Sequence, residues 1–197
     1  MLTAVSQQRS EQVPLRKQAP PLGIVVMGVS GCGKTTVAAT VAQHLGAGFL
    51  EADKLHPAEN IAKMSSGIPL TDIDRAPWLD EVGARIADGV REHGRIITAC
   101  SALRRSYRER LKQASGLDLL FVLLEGSRET LQQRVEGRSS HFMPPALLDS
   151  QLATLEPPGE DERAFAVRIT RPVEQMVEEI LLSPELEGRL SPLPGDT

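Results

Sequence analysis

One glycine-rich segment has the residue types and the spacing of a phosphate-binding loop. Residues 28–35 read GVSGCGKT, which fits the pattern G-x-x-x-x-G-K-[S/T] between an apolar run and a helical pattern. Glycines allow backbone N–H groups to approach phosphate oxygens, and a helix that begins there adds its dipole. Lys34 can reach the β- and γ-phosphates, and the Thr35 hydroxyl can ligate Mg²⁺. The predicted nucleoside triphosphate site comprises Gly28, Val29, Ser30, Gly31, Cys32, Gly33, Lys34, Thr35 and Thr36.

Two acidic residues, Glu51 and Asp53, come directly after the short apolar pair at residues 49–50. Residues i and i+2 of a strand share one face, and the carboxyl ends of parallel strands open onto the ligand crevice. A carboxylate in that place can orient or deprotonate an attacking hydroxyl, or hold Mg²⁺. Position alone leaves open the alternative that both are solvated loop charges.

The segments around these residues alternate between strand-like and helix-like patterns. Strands are predicted at residues 22–27, 49–50, 95–99, 117–124 and 164–169, and helices at 35–45, 57–64, 78–92, 103–114, 128–135, 145–152 and 173–182. This alternation indicates right-handed crossovers and a parallel sheet covered on both faces, so the predicted fold is a doubly wound α/β sandwich. We expect one domain over residues 21–182, between a disordered arm at 1–20 and a flexible tail at 183–197.

Composition and missing motifs exclude several classes of function. The 197 residues carry 22 Lys and Arg against 26 Asp and Glu, and this net charge of −4 argues against a nucleic-acid partner. No secretory signal is present, and no apolar run reaches the roughly 20 residues of a membrane span. The two cysteines fit a reducing compartment, which predicts a cytoplasmic protein. A GTPase would carry an Asn-Lys-x-Asp guanine reader, which is absent.

Several strings in the chain resemble those of the small gluconokinases, which are relatives of shikimate kinase and the nucleoside monophosphate kinases. The strings are GVSGCGKTT, EADKLHP, NIAKMSSGIPLTDIDRAPWL, CSALRRSYRERL and SSHFMPPALLDSQLATLEPP, and the resemblance runs over about residues 22–182. It implies phosphorylation of D-gluconate by ATP and Mg²⁺ to 6-phospho-D-gluconate, which feeds the pentose phosphate pathway. It also implies a five-stranded sheet of order 2-3-1-4-5, a lid at about residues 136–145, and a homodimer.

The resemblance also implies roles for individual residues. The catalytic residues would be Lys34, Asp53 and Arg138, and the metal ligands Thr35 and Glu51, although relatives often have Asp in place of Glu51. Arg134 and Arg171 would contact the nucleotide. The acceptor would be bound by Asp53, His56, Lys63, Arg75, Ser101, Arg104 and His141. Among these, Asp53 would orient the 6-hydroxyl, and Lys63 and Arg75 would meet the carboxylate, because an arginine fork matches a carboxylate.

Structural alternatives compete with several of these roles. Arg75 could instead form a surface pair with Asp74, Ser101 could simply cap the following helix, and most of the charges at residues 107–110 are expected to be solvated. Trp78 is expected to pack against the substrate-side helix. Two other functions stay open: a kinase for another small hydroxy acid such as shikimate, and a non-catalytic nucleotide-binding regulator.

The two cysteines support one further hypothesis. Cys32 lies in the phosphate loop and Cys100 follows a strand expected to neighbour it, so joint oxidation could block ATP binding. The alternative is a pair of small buried thiols.

Overall fold

The computed structural model describes residues 20–137, 146–187 and 189–190. The strands are β1 Leu22–Met27, β2 Gly48–Glu51, β3 Arg95–Ala99, β4 Leu120–Glu125 and β5 Ala164–Arg168. The helices are α1 Lys34–His44, α2 Ala58–Ser65, α3 Asp72–His93, α4 Arg105–Ser115, α5 Arg128–Glu136, α6 Ala146–Thr154 and α7 Val173–Leu181, with a 3₁₀ turn at Ala52–Leu55. Within these residues, no helix combines the length and the apolar character needed to span a bilayer.

The five strands form one parallel sheet of order β2-β3-β1-β4-β5, which confirms the predicted fold class and strand order. Strand β1 is central and pairs with both β3 and β4, as in the registers Val26↔Ala99 and Val26↔Val122. Every residue of β1 is buried. Because all strands run in the same direction, the segments that follow β1, β2 and β3 meet at one edge of the sheet.

Alternate residues of β1 pack into two core layers on opposite faces of the sheet. Ile24 and Val26 belong to the layer that includes buried residues of α1 and α7. Val25 and Met27 belong to the layer that includes buried residues of α3 and α4. Full burial of such a side chain contributes about 1.5–3 kcal/mol. The strand that carries the glycine-rich loop is therefore held firmly from both sides.

Helix α3 begins at Asp72, earlier than the predicted start at residue 78. The Thr71 side chain accepts a hydrogen bond from the Asp74 N–H at 3.2 Å, and Asp74 Oδ2 accepts one from the Thr71 N–H at 2.9 Å. This capping box satisfies two backbone donors at the helix start. Pro77 lies inside the helix, and its missing N–H does not end the helix there.

Ser101 does not cap helix α4, so the alternative of a simple N-cap role for Ser101 is wrong. The helix begins at Arg105 and its N-cap residue is Arg104. Ala102 has a φ of 42°, so the backbone turns between Ser101 and the helix. The first helical N–H is satisfied from elsewhere in the chain, because Glu156 Oε2 accepts a hydrogen bond from the Arg105 N–H at 2.8 Å.

The segment after α7 is packed in its described part, whereas the sequence predicts a loose tail from residue 183. Leu186 is fully buried in the same core layer as α1 and α7. The Glu185 carbonyl accepts a hydrogen bond from Arg163 Nη2 at 2.8 Å. The packed domain therefore extends beyond residue 182. A buried leucine in a Pro- and Gly-rich segment is a contact that local composition does not reveal.

Candidate active site

The phosphate-binding loop connects β1 to α1, as predicted. Gly28 and Gly31 have φ angles of 137° and 85°, which side chains rarely adopt. A Cβ at Gly28 would lie 2.9 Å from the Leu124 carbonyl oxygen, and one at Gly31 would lie 2.9 Å from the Leu131 carbonyl oxygen. Both positions therefore require glycine, for conformation and for space.

Hydrogen bonds from three sides fix this loop. Lys34 Nζ donates to the Val29 carbonyl at 3.1 Å, which folds the lysine side chain over the loop. The Gly28 N–H donates to the Ser101 carbonyl at 3.2 Å, which connects the loop to the segment after β3. The Ser30 N–H donates to Gln151 Oε1 of helix α6 at 2.6 Å. Ser101 thus reaches the site through its backbone.

A cavity of about 330 Å³ opens on the α7 side of the loop. It is lined by Gly31, Cys32, Gly33, Thr36, Val37, Arg134, Arg171, Pro172, Val173 and Met176. Arg134 Nη2 donates to the Ile169 carbonyl at 2.8 Å, and Arg171 Nη1 lies 2.8 Å from Glu179 Oε2. The structure therefore brings both predicted nucleotide-contacting arginines beside the phosphate loop.

Glu51 ends β2 and faces the phosphate loop. Burial raises the pKa of its carboxyl, a hydrogen bond with the Thr35 side chain lowers it, and the Asp53 charge raises it further. The nearby Lys34 charge also lowers this pKa. A hydroxyl and a carboxylate oxygen are hard ligands of the kind that Mg²⁺ prefers, so these residues fit that ion. No group of three His, Cys, Asp or Glu side chains suits a metal in the described residues, so phosphate and water would complete the coordination.

A second cavity, of about 260 Å³, lies between the start of α3, the start of α4 and helix α6. It is lined by Pro69, Leu70, Thr71, Asp72, Arg75, Arg104, Ser150, Gln151 and Thr154. The guanidinium carbons of Arg75 and Arg104 lie 5.6 Å and 5.8 Å from the centre of the Tyr107 ring. Two of the predicted acceptor-binding residues therefore meet at one cavity wall.

Internal partners already hold these two arginines in place. Arg104 Nη1 donates to Asp72 Oδ1 and Oδ2 at 3.0 Å and 2.8 Å, and the Tyr107 hydroxyl donates to the same carboxylate. Arg75 Nη1 donates to the Leu70 carbonyl. These contacts reduce the conformational freedom that the arginine side chains would lose on binding an anion.

Lys63 pairs with Asp74, so the alternative of an Asp74–Arg75 pair is wrong. Lys63 Nζ lies 2.6 Å from Asp74 Oδ1. The hydrogen bonds from Lys63 and Thr71 lower the pKa of Asp74 to about 2. Lys63 is not among the residues that line either cavity described above. Its pair with Asp74 instead supports the start of the helix that carries Arg75.

His56 stacks on Trp78, and Trp78 packs inside the protein as expected. The ring centres lie 4.0 Å apart with an angle of 17° between the planes, and Trp78 Nε1 donates to the Ala52 carbonyl at 2.9 Å. Burial lowers the pKa of His56 to about 4, against the opposing effect of Asp53, and Arg75 lowers it further. The ring is therefore neutral near pH 7. In the described structure, its buried Nδ1 has no hydrogen-bond partner.

Two buried charges, those of Arg108 and Glu162, are not predicted from the sequence. Arg108 is fully buried and is the exception to the expectation that most charges at residues 107–110 are solvated. Its Nε and Nη2 atoms donate to Glu162 at 2.6 Å and 2.7 Å, and its Nη1 donates to the carbonyls of Ala102 and Glu156 at 3.3 Å and 3.0 Å. The available signal was helical spacing, because Arg108 shares a face with buried Leu111 and Ser115.

The two cysteines are free and buried, but they belong to different core layers. Cys32 packs in the layer of α1, and Cys100 packs in the layer of α3 and α4. Burial raises the pKa of the Cys100 thiol to about 12, which suppresses its reactive thiolate. This arrangement favours two buried thiols over a redox pair.

Arg138, His141 and most of the expected lid at 136–145 lie outside the described residues.

A parallel sheet of this order, with a phosphate-binding loop after its central strand, defines a phosphate-loop nucleotide-binding protein. A family model described as an AAA domain matches residues 24–158. The chain is 49% identical over 166 residues to a gluconokinase of Gluconobacter oxydans, an alignment that covers 82% of this chain and 90% of that relative. The chain belongs to the gluconokinase family.

Two crystal structures agree with this assignment. A gluconokinase from Sinorhizobium meliloti is 48% identical with a TM-score of 0.72, over 82% of this chain and 90% of that chain. An unliganded sugar kinase from Janibacter is 42% identical with a TM-score of 0.80, over 87% of this chain and 99% of that chain.

Proposed function

We propose that this protein transfers the γ-phosphoryl group of ATP to the 6-hydroxyl of D-gluconate, releasing ADP and 6-phospho-D-gluconate. The observation that carries the proposal is the arginine-lined cavity of about 260 Å³, which shares Gln151 with the phosphate loop. Guanidinium groups suit a carboxylate, and gluconate has a carboxylate at one end and a primary hydroxyl at the other. The similarity to gluconokinases supports the same acceptor.

On the nucleotide side, backbone N–H groups of the phosphate-binding loop bind the phosphates, and Lys34 stabilises negative charge on the transferring group. Arg134 and Arg171 contact the nucleotide from the α7 side, where both line the cavity beside the loop. Thr35 and Glu51 would hold Mg²⁺, which when bound neutralises charge on the β- and γ-phosphates.

On the acceptor side, Arg75 and Arg104 bind the carboxylate of gluconate. His56 binds an acceptor hydroxyl, and its neutral ring and its closeness to Asp53 and Arg75, which both act on its pKa, support that role. Ser101 borders the site through its backbone in the segment after β3. Lys63 supports acceptor binding indirectly, through its ion pair with Asp74 at the start of α3. Roles for Arg138 and His141 rest on the family resemblance.

Asp53 is the proposed catalytic carboxylate. It orients the 6-hydroxyl and accepts its proton as the bond between that oxygen and the γ-phosphorus forms. The bond between the γ-phosphorus and the bridging oxygen breaks, and the electron pair leaves with ADP. The proximity of Asp53 to Glu51 and His56, which is evident from its effect on both pKa values, supports this role.

The family resemblance also supports a cytoplasmic homodimer. Light scattering coupled to size-exclusion chromatography tests the dimer, because a mass near the 21.4 kDa of one chain would contradict it.

The test of the function is a coupled ADP-release assay with ATP and Mg²⁺. The acceptors are D-gluconate, shikimate, glycerate and nucleoside monophosphates, and the Lys34→Ala variant is the control for contaminating kinases. We expect turnover with gluconate that disappears in the variant. Turnover with another acid instead would reassign the acceptor cavity, and silence with every acceptor would favour a nucleotide-binding regulator.

A further inference from the structure

The side chain of Gln151 contacts the phosphate-binding loop. Its Oε1 atom accepts a hydrogen bond from the Ser30 N–H at 2.6 Å, although the two residues are far apart in the chain. Backbone N–H groups of such a loop are the groups that contact phosphate oxygens. A phosphate oxygen that bound the Ser30 N–H would therefore compete with the carboxamide oxygen.

The same side chain also borders the space proposed for the acceptor. Gln151 lines the 260 Å³ cavity together with Arg75 and Arg104. Helix α6, which carries Gln151, also contributes Ser150 and Thr154 to this wall. Gln151 is thus in direct contact with the loop that binds one substrate and exposed to the cavity that would bind the other.

We propose that Gln151 is a positioning residue that couples nucleotide binding to acceptor binding, an inference that rests on the proposed function. Its oxygen accepts a hydrogen bond from the Ser30 N–H. When phosphate oxygens take the Ser30 N–H, the carboxamide is released towards the cavity beside Arg75 and Arg104. There it can donate to the acceptor carboxylate or bond to a hydroxyl, because an amide is both donor and acceptor.

The chemistry of the side chain suits this exchange. A carboxamide is neutral, whereas a phosphate oxygen is charged and forms the stronger bond with an N–H donor. ATP can therefore displace Gln151 with only a modest loss of binding free energy. A carboxylate in the same place would compete more strongly and would repel the phosphates.

The experiment measures ATP affinity by calorimetry for wild type, Gln151→Leu and Gln151→Glu, with Gln113→Leu as a matched control on an exposed face of α4. A typical net hydrogen bond corresponds to a roughly two- to tenfold change in affinity. We expect Gln151→Leu to bind ATP tighter by about this factor, Gln151→Glu to bind it more weakly, and Gln113→Leu to match wild type.

The coupling is measured through gluconate affinity without and with a non-hydrolysable ATP analogue. Wild type is expected to bind gluconate more tightly with the analogue than without it. In Gln151→Leu, this increase in gluconate affinity is expected to be roughly two- to tenfold smaller. Unchanged or weaker ATP binding in Gln151→Leu, or an unchanged gain, would overturn the proposal. If Gln151→Leu does not fold, Gln151→Glu still tests the proposal, because it is expected to change ATP affinity in the opposite direction. The ATP measurements remain interpretable even if gluconate is not the acceptor.

Discussion

Breaking the buried pair of Arg108 and Glu162 is expected to destabilise the acceptor side of the protein strongly. The Arg108 side chain is 0% exposed and that of Glu162 is 6% exposed. Arg108 also donates to the carbonyls of Ala102 and Glu156, so one guanidinium joins the segment after β3 to the segment after α6. In Arg108→Met, the Glu162 carboxylate would remain buried without its counter-charge.

The size of the effect follows from that desolvation. Removing one partner of a buried ion pair typically costs about 3–5 kcal/mol in the free energy of unfolding. For a chain of this size, 1 kcal/mol corresponds to roughly 2–4 °C in Tm, so Arg108→Met is expected to lower Tm by about 10 °C. The double variant Arg108→Met/Glu162→Leu removes both charges and should recover most of the loss.

Urea denaturation followed by circular dichroism measures these free energies. The control is Arg110→Met on the same helix, because Arg110 pairs with Asp80 at 2.6 Å and both side chains are solvent-exposed. That variant is expected to cost less than about 1 kcal/mol. Equal losses for Arg108→Met and Arg110→Met would refute the reasoning, as would a double variant less stable than Arg108→Met.

Three further predictions concern the site itself. Asp53→Asn is expected to lower kcat by about 10²–10⁴-fold with little change in ATP affinity, measured by steady-state kinetics and calorimetry; unchanged kcat would remove Asp53 from catalysis. Arg75→Met is expected to raise the gluconate KM by roughly 30-fold, about 2 kcal/mol, while the ATP KM stays near wild type; a change in the ATP KM alone would contradict a carboxylate contact. Because folding lowers the pKa of His56 from 6.5 to about 4, the folded state binds fewer protons than the unfolded state between these values. The free energy of unfolding should therefore fall as pH drops from 6.5 to 4, and His56→Asn should show a shallower decline in urea titrations; parallel curves would argue against a buried neutral ring.

The phosphate loop and the sheet were predictable because their signals are local. The GVSGCGKT string has few structural alternatives, and apolar runs such as residues 22–27 mark buried strands. The start of α3 at Asp72 was not predicted, although the Thr71–Asp74 capping box is a local signal for it. The first N–H of α4 is satisfied by Glu156 from a distant segment, which no local pattern shows.

Side-chain partners in the site were the least predictable feature. Lys63 and Arg75 look equivalent in sequence as cations, but only Arg75 lines the acceptor cavity. Arg108 lies in a charged helix, and its burial depends on Glu162, which is distant in sequence. Gln151 resembles any polar helical residue until the fold brings it to Ser30. Each of these contacts depends on tertiary packing that no local pattern encodes.

The stacking of His56 on Trp78 gives the protein a built-in optical signal. The chain contains a single tryptophan, so all indole fluorescence comes from this one ring. The imidazole face lies 4.0 Å away, close enough for its protonation or displacement to alter the emission. Intrinsic fluorescence is therefore a label-free reporter of events at His56. Under the role proposed for His56, it would time the arrival of the acceptor independently of nucleotide turnover, in the native sequence and without an attached dye.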